Sequence, residues 1–131
     1  MKNIFKKMGL ISLLSLSFGL SSCGGNPVGT WRQEVAVSGH GTLRYCLYTF
    51  NEDHTLDYLD HREYDYAEMP LAEDVGGGTW TQSGSQITTT ITWMRYNGDS
   101  ADTTLTSPDT TYWTLSGEQM QSGGVTISRI S

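Results

Sequence analysis

Histidine and carboxylate side chains alternate along residues 57–65, the part of the chain richest in metal-ligating groups. Asp57, His61, Glu63 and Asp65 are separated by multiples of two, and this spacing puts side chains on one face of a β-strand. Imidazole nitrogens and carboxylate oxygens are common ligands of Zn²⁺. However, the sequence has no close ligand pair such as Cys-x-x-Cys or His-x-x-x-His, and clustering on an acidic strand explains the pattern equally well. We therefore predict no metal site.

Recognisable catalytic motifs are absent from the sequence. It contains no Gly-x-Ser-x-Gly, no His-Glu-x-x-His and no phosphate-binding loop. Cys46 would need a histidine partner to act as a nucleophile, and no local motif supplies one. We therefore predict no catalytic residue and no cofactor, and we do not expect an enzyme.

Asp60 and Arg62 alternate with the tyrosines of the same segment. On a strand of a closed sheet, they would face the interior near one end. Two interpretations remain open. The two residues form a structural ion pair, or they orient a bound ligand.

The N-terminal segment carries the strongest localisation signal. Lys2, Lys6 and Lys7 precede an uncharged stretch, Met8–Leu20, of 13 residues, which is shorter than the roughly 20 residues of a membrane-spanning helix. Leu20-Ser21-Ser22-Cys23 then resembles the lipobox of bacterial lipoproteins. The resemblance implies cleavage before Cys23 and attachment of diacylglycerol to its sulfur, followed by N-acylation. A transmembrane anchor and an ordinary secretory signal are the alternatives.

These signals divide the chain into three parts. Residues 1–22 are predicted to be a lipoprotein signal peptide, residues 23–27 a lipidated cysteine and flexible tether, and residues 28–131 a single domain. The predicted location is the bacterial cell envelope, on the outer membrane, with the lipid anchor as the contact to the membrane.

The mature chain is strongly acidic. The signal contains all three lysines, so five arginines face fourteen acidic residues, a formal charge of −9. Such a domain repels nucleic acid and anionic lipid head groups. The charge is typical of a solvated acidic surface, or it suits a basic protein partner.

The mature sequence has the composition of strands and turns. Thr, Tyr, Trp, Val and Ile are punctuated by Gly, Asn, Asp and Ser. The pattern predicts an all-β fold with eight antiparallel strands in an up-and-down meander that forms a closed or partly open barrel. The predicted strands are Val28–Val37, Thr42–Phe50, Thr55–Tyr66, Gly77–Gln82, Gln86–Tyr96, Thr110–Leu115, Gln119–Gln121 and Val125–Ile130. Longer loops are expected at Ala67–Gly76 and Asp99–Asp109.

Alternation along the strands predicts which side chains face the interior. In the second strand, we favour Cys46, Tyr48 and Phe50 inside, because this choice also buries the unpaired thiol. In the fifth strand, Ile87, Ile91 and Trp93 share a face.

The first and last strands resemble those of the lipocalins. Gly29-Thr30-Trp31 matches the Gly-x-Trp start of that family, in which an arginine of the final strand, here Arg129, covers the tryptophan at the barrel floor. Tyr48-Thr49-Phe50 before an acidic turn and a second Gly-x-Trp, Gly78-Thr79-Trp80, are similar to small lipocalin-like domains of bacterial envelope lipoproteins. The resemblance implies a small barrel closed by Gly29, Trp31 and Arg129.

Three function classes remain open. The first is a barrel that binds a small apolar or amphipathic molecule. Its lining would include Tyr48, Phe50, Tyr58 and Trp93, and Arg62 (or Arg44) would meet a ligand carboxylate. The second is an interaction or inhibitor module against a basic enzyme, acting through a protruding Ala67–Gly76 loop. The third is a surface glycan or adhesion protein with a flat row of exposed aromatic side chains.

Overall fold

The computed structural model describes residues 24–131. The predicted signal peptide and Cys23 lie outside these residues. Within the described range, no helix is long and apolar enough to cross a membrane.

Eight antiparallel strands form a meander that closes into a barrel. Each strand pairs with the next along the chain, and the last pairs with the first through Trp31–Arg129 and Arg32–Ser128. This confirms the predicted all-β, eight-stranded antiparallel fold. The strands are β1 (Gly29–Glu34), β2 (Gly41–Phe50), β3 (Thr55–Tyr64), β4 (Leu71–Ser83), β5 (Gln86–Arg95), β6 (Thr103–Ser116), β7 (Gln119–Ser122) and β8 (Val125–Arg129).

Two strands are longer than the sequence pattern predicted. β4 begins at Leu71 instead of Gly77, so most of the expected Ala67–Gly76 loop is strand. In this added part of the strand, Glu73 pairs with His61 and Asp74 pairs with Arg62 on β3. Partners on the neighbouring strand remove the cost of placing these charges in a sheet.

β6 begins at Thr103 instead of Thr110, so the expected Asp99–Asp109 loop is also mostly strand. Thr103 and Thr104 pair with Met94 and Trp93, and the register then shifts before Asp109 pairs with Ile91. Pro108 lies within this irregular stretch, where its missing N–H breaks no regular ladder.

The two ends of the barrel differ in their contents. At the floor, where β1 begins and β8 ends, apolar side chains fill the interior. Trp31, Phe50, Ile87 and Trp113 are among its least exposed members. At the mouth, where β2 begins and β3 ends, charged and phenolic groups replace them. The floor therefore has a packed core, and the interior toward the mouth is polar.

The segment before β1 packs on the floor instead of hanging free as the expected tether. The indole Nε1 of Trp31 donates to the carbonyl of Pro27 at 2.8 Å, and Gln82 Nε2 donates to that of Gly25 at 2.9 Å. Arg129 also donates to the carbonyl of Asn26. Residues 24–27 therefore form part of the floor.

Candidate ligand site in the upper barrel

The barrel wall is incomplete in its upper half. β7 and β8 contain 4 and 5 residues, against 14 in β6. Residues 114–116 of β6 pair with β7, but residues 103–113 have no strand partner on that side. The short β7–β8 hairpin therefore closes the floor and leaves the upper interior open laterally.

A cavity of about 220 Å³ lies in this upper interior, which we call the lumen cavity. Its aromatic wall consists of Tyr48, Tyr58 and Tyr96. The remaining lining is apolar at Ile91, Met94 and Leu105, and polar at Thr89, Thr111 and Asp109. The volume is below the roughly 300–1,000 Å³ of sites for drug-sized ligands, so only a compact molecule would fit.

The two central tyrosines are held in a fixed corner. Their ring centroids are 5.1 Å apart with the planes inclined at 60°, and Tyr48 also packs edge-on against Trp113 at 5.4 Å. The hydroxyl of Tyr58 lies 3.3 Å from the sulfur of Cys46. Burial raises the pKa of both phenols and of the thiol, so all three stay neutral at physiological pH.

Two ion pairs lie on the inner face above the lumen cavity. Arg44 and Asp60 form a bidentate pair, with Nε–Oδ1 at 3.1 Å and Nη2–Oδ2 at 2.8 Å. The hydrogen bond to Asp60 raises the pKa of Arg44. Arg62 Nη2 lies 2.9 Å from Asp74 Oδ1. Asp60 and Arg62 are therefore not paired with each other. Each has a partner on an adjacent strand, which favours the structural interpretation of these charges.

An open vestibule of about 350 Å³ lies beside the lumen cavity. It is lined by Arg62, Tyr64, Met69, Asp74 and Tyr96, with Ala72 and Asn97. Tyr96 contacts both spaces. The Nε of Arg62 is buried and has no hydrogen-bond partner, so this guanidinium keeps one free donor.

The structure separates the five residues predicted to contact a ligand. Tyr48 and Tyr58 line the lumen cavity, and Arg62 lines the vestibule. Phe50 is buried in the floor, where it packs edge-on between Trp31 and Trp80. Only the two tyrosines therefore meet in one cavity.

The inward orientation predicted for Trp93 is wrong. The register shifts on both sides of β5 near this residue, and Met94 enters the core in its place. Trp93 lies over Gly77, which pairs with the exposed Asp57 on the outer face. A bulge reverses which side chains face inward in the rest of the strand, and the sequence pattern does not predict the position of the bulge.

The same irregularity explains which lining residues were missed. Met94 follows the reversal, and Leu105 and Asp109 lie in the stretch that was expected to be a loop. Pro108 next to an Asp-Thr pair was the only available signal of a strand bulge, and it equally fits a turn.

Gly29, Trp31 and Arg129 meet at the floor. The guanidinium carbon of Arg129 lies 4.5 Å from the centroid of the buried Trp31 ring. Its Nη1 donates to the carbonyl of Val28 at 2.7 Å, and its Nε pairs with Glu118 at 2.9 Å. Gly29 has a φ of 132°, and a Cβ there would overlap the carbonyl of Ser131. These contacts hold the first and last strands together.

His61 lies on the outer face, and neighbouring side chains cover it. Its Nδ1 is 2.6 Å from Glu73, its Nε2 is 2.8 Å from Glu63, and its ring stacks on Tyr45 at 4.6 Å. Asp57 instead accepts a hydrogen bond from Asn51. Within residues 24–131, no group of three or more His, Cys, Asp and Glu side chains is arranged to hold a metal ion.

Features expected of the other two function classes are weak. The loop that an inhibitor would extend is reduced to residues 65–70 by the early start of β4. Among residues 24–131, the most exposed aromatic side chains are Tyr66, Tyr96 and Tyr112, and they lie on different elements instead of in one flat row.

Comparison with known proteins gave no matching family model, no matching curated protein and no matching solved structure.

Proposed function

We propose that this protein is a bacterial cell-envelope lipoprotein, anchored through Cys23, whose barrel binds a small amphipathic molecule. The observation that carries the proposal is the laterally open lumen cavity with Tyr48 and Tyr58 on its wall. A barrel whose aromatic residues only filled it would close this space, as the floor core does. The proposed activity is binding without catalysis.

The floor contacts support this arrangement on a membrane. Residues 24–27, which follow the proposed lipid anchor directly, are held against the floor by Trp31, Gln82 and Arg129. A lipid on Cys23 would therefore place the floor at the membrane surface. The mouth would point away from it, accessible to a dissolved ligand.

The first experiment is native mass spectrometry of the protein purified from its own envelope, followed by ligand titration. Trp113 packs against Tyr48, so its fluorescence should report filling of the lumen cavity. We expect saturable quenching by compact amphipathic probes. No co-purified mass and no saturable quenching would contradict the proposal and favour the protein-interaction class.

A matched pair of variants localises the binding. Thr111→Phe would fill the lumen cavity, and Thr110→Phe adds the same ring on the exposed outer face. We expect the first variant to abolish quenching and the second to preserve it. Equal binding by both would show that the ligand lies elsewhere.

A further inference from the structure

Asp109 is the one charged residue among those that line the lumen cavity. Within the described chain, its side chain makes no ion pair or hydrogen bond, although its backbone belongs to the β5–β6 ladder opposite Ile91. It lies close enough to Tyr48 for its charge to help raise the pKa of that phenol, although burial contributes more. The cavity thus presents one unpaired carboxylate beside neutral hydroxyl groups.

The arginines expected to receive a ligand carboxylate are already neutralised. Arg44 is occupied by Asp60 and Arg62 by Asp74. Around the two spaces, two arginines and three aspartates leave one net negative charge, contributed by Asp109, which lines the lumen cavity and is also exposed to solvent. In the lumen cavity itself, an anionic ligand would have to approach the unpaired carboxylate of Asp109, and like-charge repulsion makes this unfavourable.

The aromatic wall of the lumen cavity favours a cation. Tyr48 and Tyr58 meet at an inclined corner with centroids 5.1 Å apart, and the face of an aromatic ring attracts a cation within about 6 Å. Two or three converging rings are a common recognition device for substituted ammonium groups. The acidic mature chain adds a long-range field that favours the approach of cations.

We infer that the lumen cavity selects a small organic cation: an ammonium group on a compact apolar body, with Asp109 as counter-ion and the Tyr48–Tyr58 corner as its aromatic wall. The apolar body lies against Ile91, Met94 and Leu105. This inference rests on the proposed function and specifies its ligand class.

Three probes that share one body and differ in head charge test the inference. They are 2-phenylethylammonium, 2-phenylethanol and 3-phenylpropanoate, titrated into the purified protein with tryptophan fluorescence and calorimetry. We expect the cation to bind about tenfold or more tighter than the alcohol, the size of a desolvated cation–aromatic contact. We expect the anion to bind most weakly.

Two charge variants test whether the preference for the cation depends on Asp109. Asp109→Asn should lower the affinity for the cation about tenfold and leave the affinity for the alcohol unchanged. Glu52→Gln removes one charge from an exposed turn at the floor end and should change neither of these affinities. Circular dichroism checks that both variants fold, and the three-probe comparison on the unmodified protein needs no variant at all.

The outcomes separate this inference from the proposed function. Equal binding of all three probes overturns the cation class but leaves a ligand-binding barrel. Tightest binding of the anion, lost in Arg62→Gln, also overturns it and assigns the ligand to the vestibule. If none of the three probes binds, the cation inference is also overturned. The native mass spectrum then decides whether the proposed ligand-binding function is contradicted as well.

Discussion

Arg129 links the last strand to its neighbours at the floor through three different interactions. Its guanidinium covers the Trp31 ring, donates to the carbonyls of residues before β1, and pairs with Glu118 after β6. A guanidinium presents several N–H donors in one plane, and lysine could not make all these contacts. One side chain therefore closes the barrel and fixes the preceding segment on the floor.

Truncation of Trp31 tests the importance of this floor. Trp31→Ala should lower the free energy of unfolding by about 3–5 kcal/mol, because it leaves a large cavity in a packed core. Trp93→Ala on the outer face is the matched control and should cost about 1 kcal/mol. Urea denaturation measures the free energy of unfolding of both variants. Equal losses would contradict the placement of Trp31 in the packed floor and of Trp93 on the outer face.

His61 should make stability depend on pH. Hydrogen bonds to Glu63 and then Glu73 raise its pKa, with burial opposing them. A neutral imidazole has one N–H, so it can donate to only one of the two carboxylates. The raised pKa stabilises the fold fully below the ordinary value of about 6.5, and that contribution is lost as pH rises through the folded-state pKa.

The measurement is the urea midpoint between about pH 6 and pH 9. We expect the unmodified protein to lose stability over this range and His61→Asn to lose less. His40→Asn is the control, because the His40–Asp65 pair is 62% and 61% exposed and screened by water. Identical pH slopes for the unmodified protein and His61→Asn would refute the assignment.

At the scale of elements, register irregularities decide which side chains reach the lumen cavity. Shifts occur between Gly77 and Gly78 on β4 and between Ile91 and Trp93 on β5. Before them, the two-residue alternation correctly placed Ile87 and Ile91 inside. After these shifts, the alternation failed at Trp93, because each inserted residue reverses which face of the sheet the following side chains occupy.

The tight approach of β4 and β5 gives a prediction at Gly78. A Cβ at this position would overlap the backbone carbonyl of Thr90. Gly78→Ala should therefore destabilise the fold by about 1–3 kcal/mol or more, since backbone must move. At Gly124, a Cβ would meet nothing within 4 Å, so Gly124→Ala should change stability by less than about 0.5 kcal/mol. Thermal unfolding compares the two, and similar melting temperatures would argue against the close strand approach.

At the scale of the whole molecule, the described chain is packed at one end and open at the other. The floor holds the tryptophan-rich core and residues 24–27, and the mouth holds the ion pairs, the vestibule and the lumen cavity. Stability and proposed binding are therefore located in different halves of the barrel. We therefore expect variants at the mouth to alter the proposed binding more than they alter stability.

Membrane attachment is the prediction that belongs to this scale. Cys23→Ala should release the protein from membranes or stall its processing, because the proposed acyl chains would be attached to Cys23. Ser22→Ala keeps a small residue before the cleavage point and should remain anchored. Membrane fractionation with gel mobility measures both, and unchanged retention of Cys23→Ala would exclude the lipid anchor.

The sequence by itself determined the fold class and the inner face of the regular strands. Alternation of apolar and polar residues depends only on local geometry, so Phe50, Ile87 and Ile91 were placed correctly. It also predicted that Cys46, Tyr48 and Tyr58 face inward.

Only the tertiary structure decided where the lumen cavity lies and what charge it contains. The partners of Glu73 and Asp74 are on another strand. The residues next to them in the sequence therefore could not show that both belong to β4. The same holds for Trp93, whose orientation depends on a bulge, and for Asp109, which lines the lumen cavity next to the irregular stretch of β6. Cross-strand pairing and register are set by contacts between distant residues, and no local pattern encodes them.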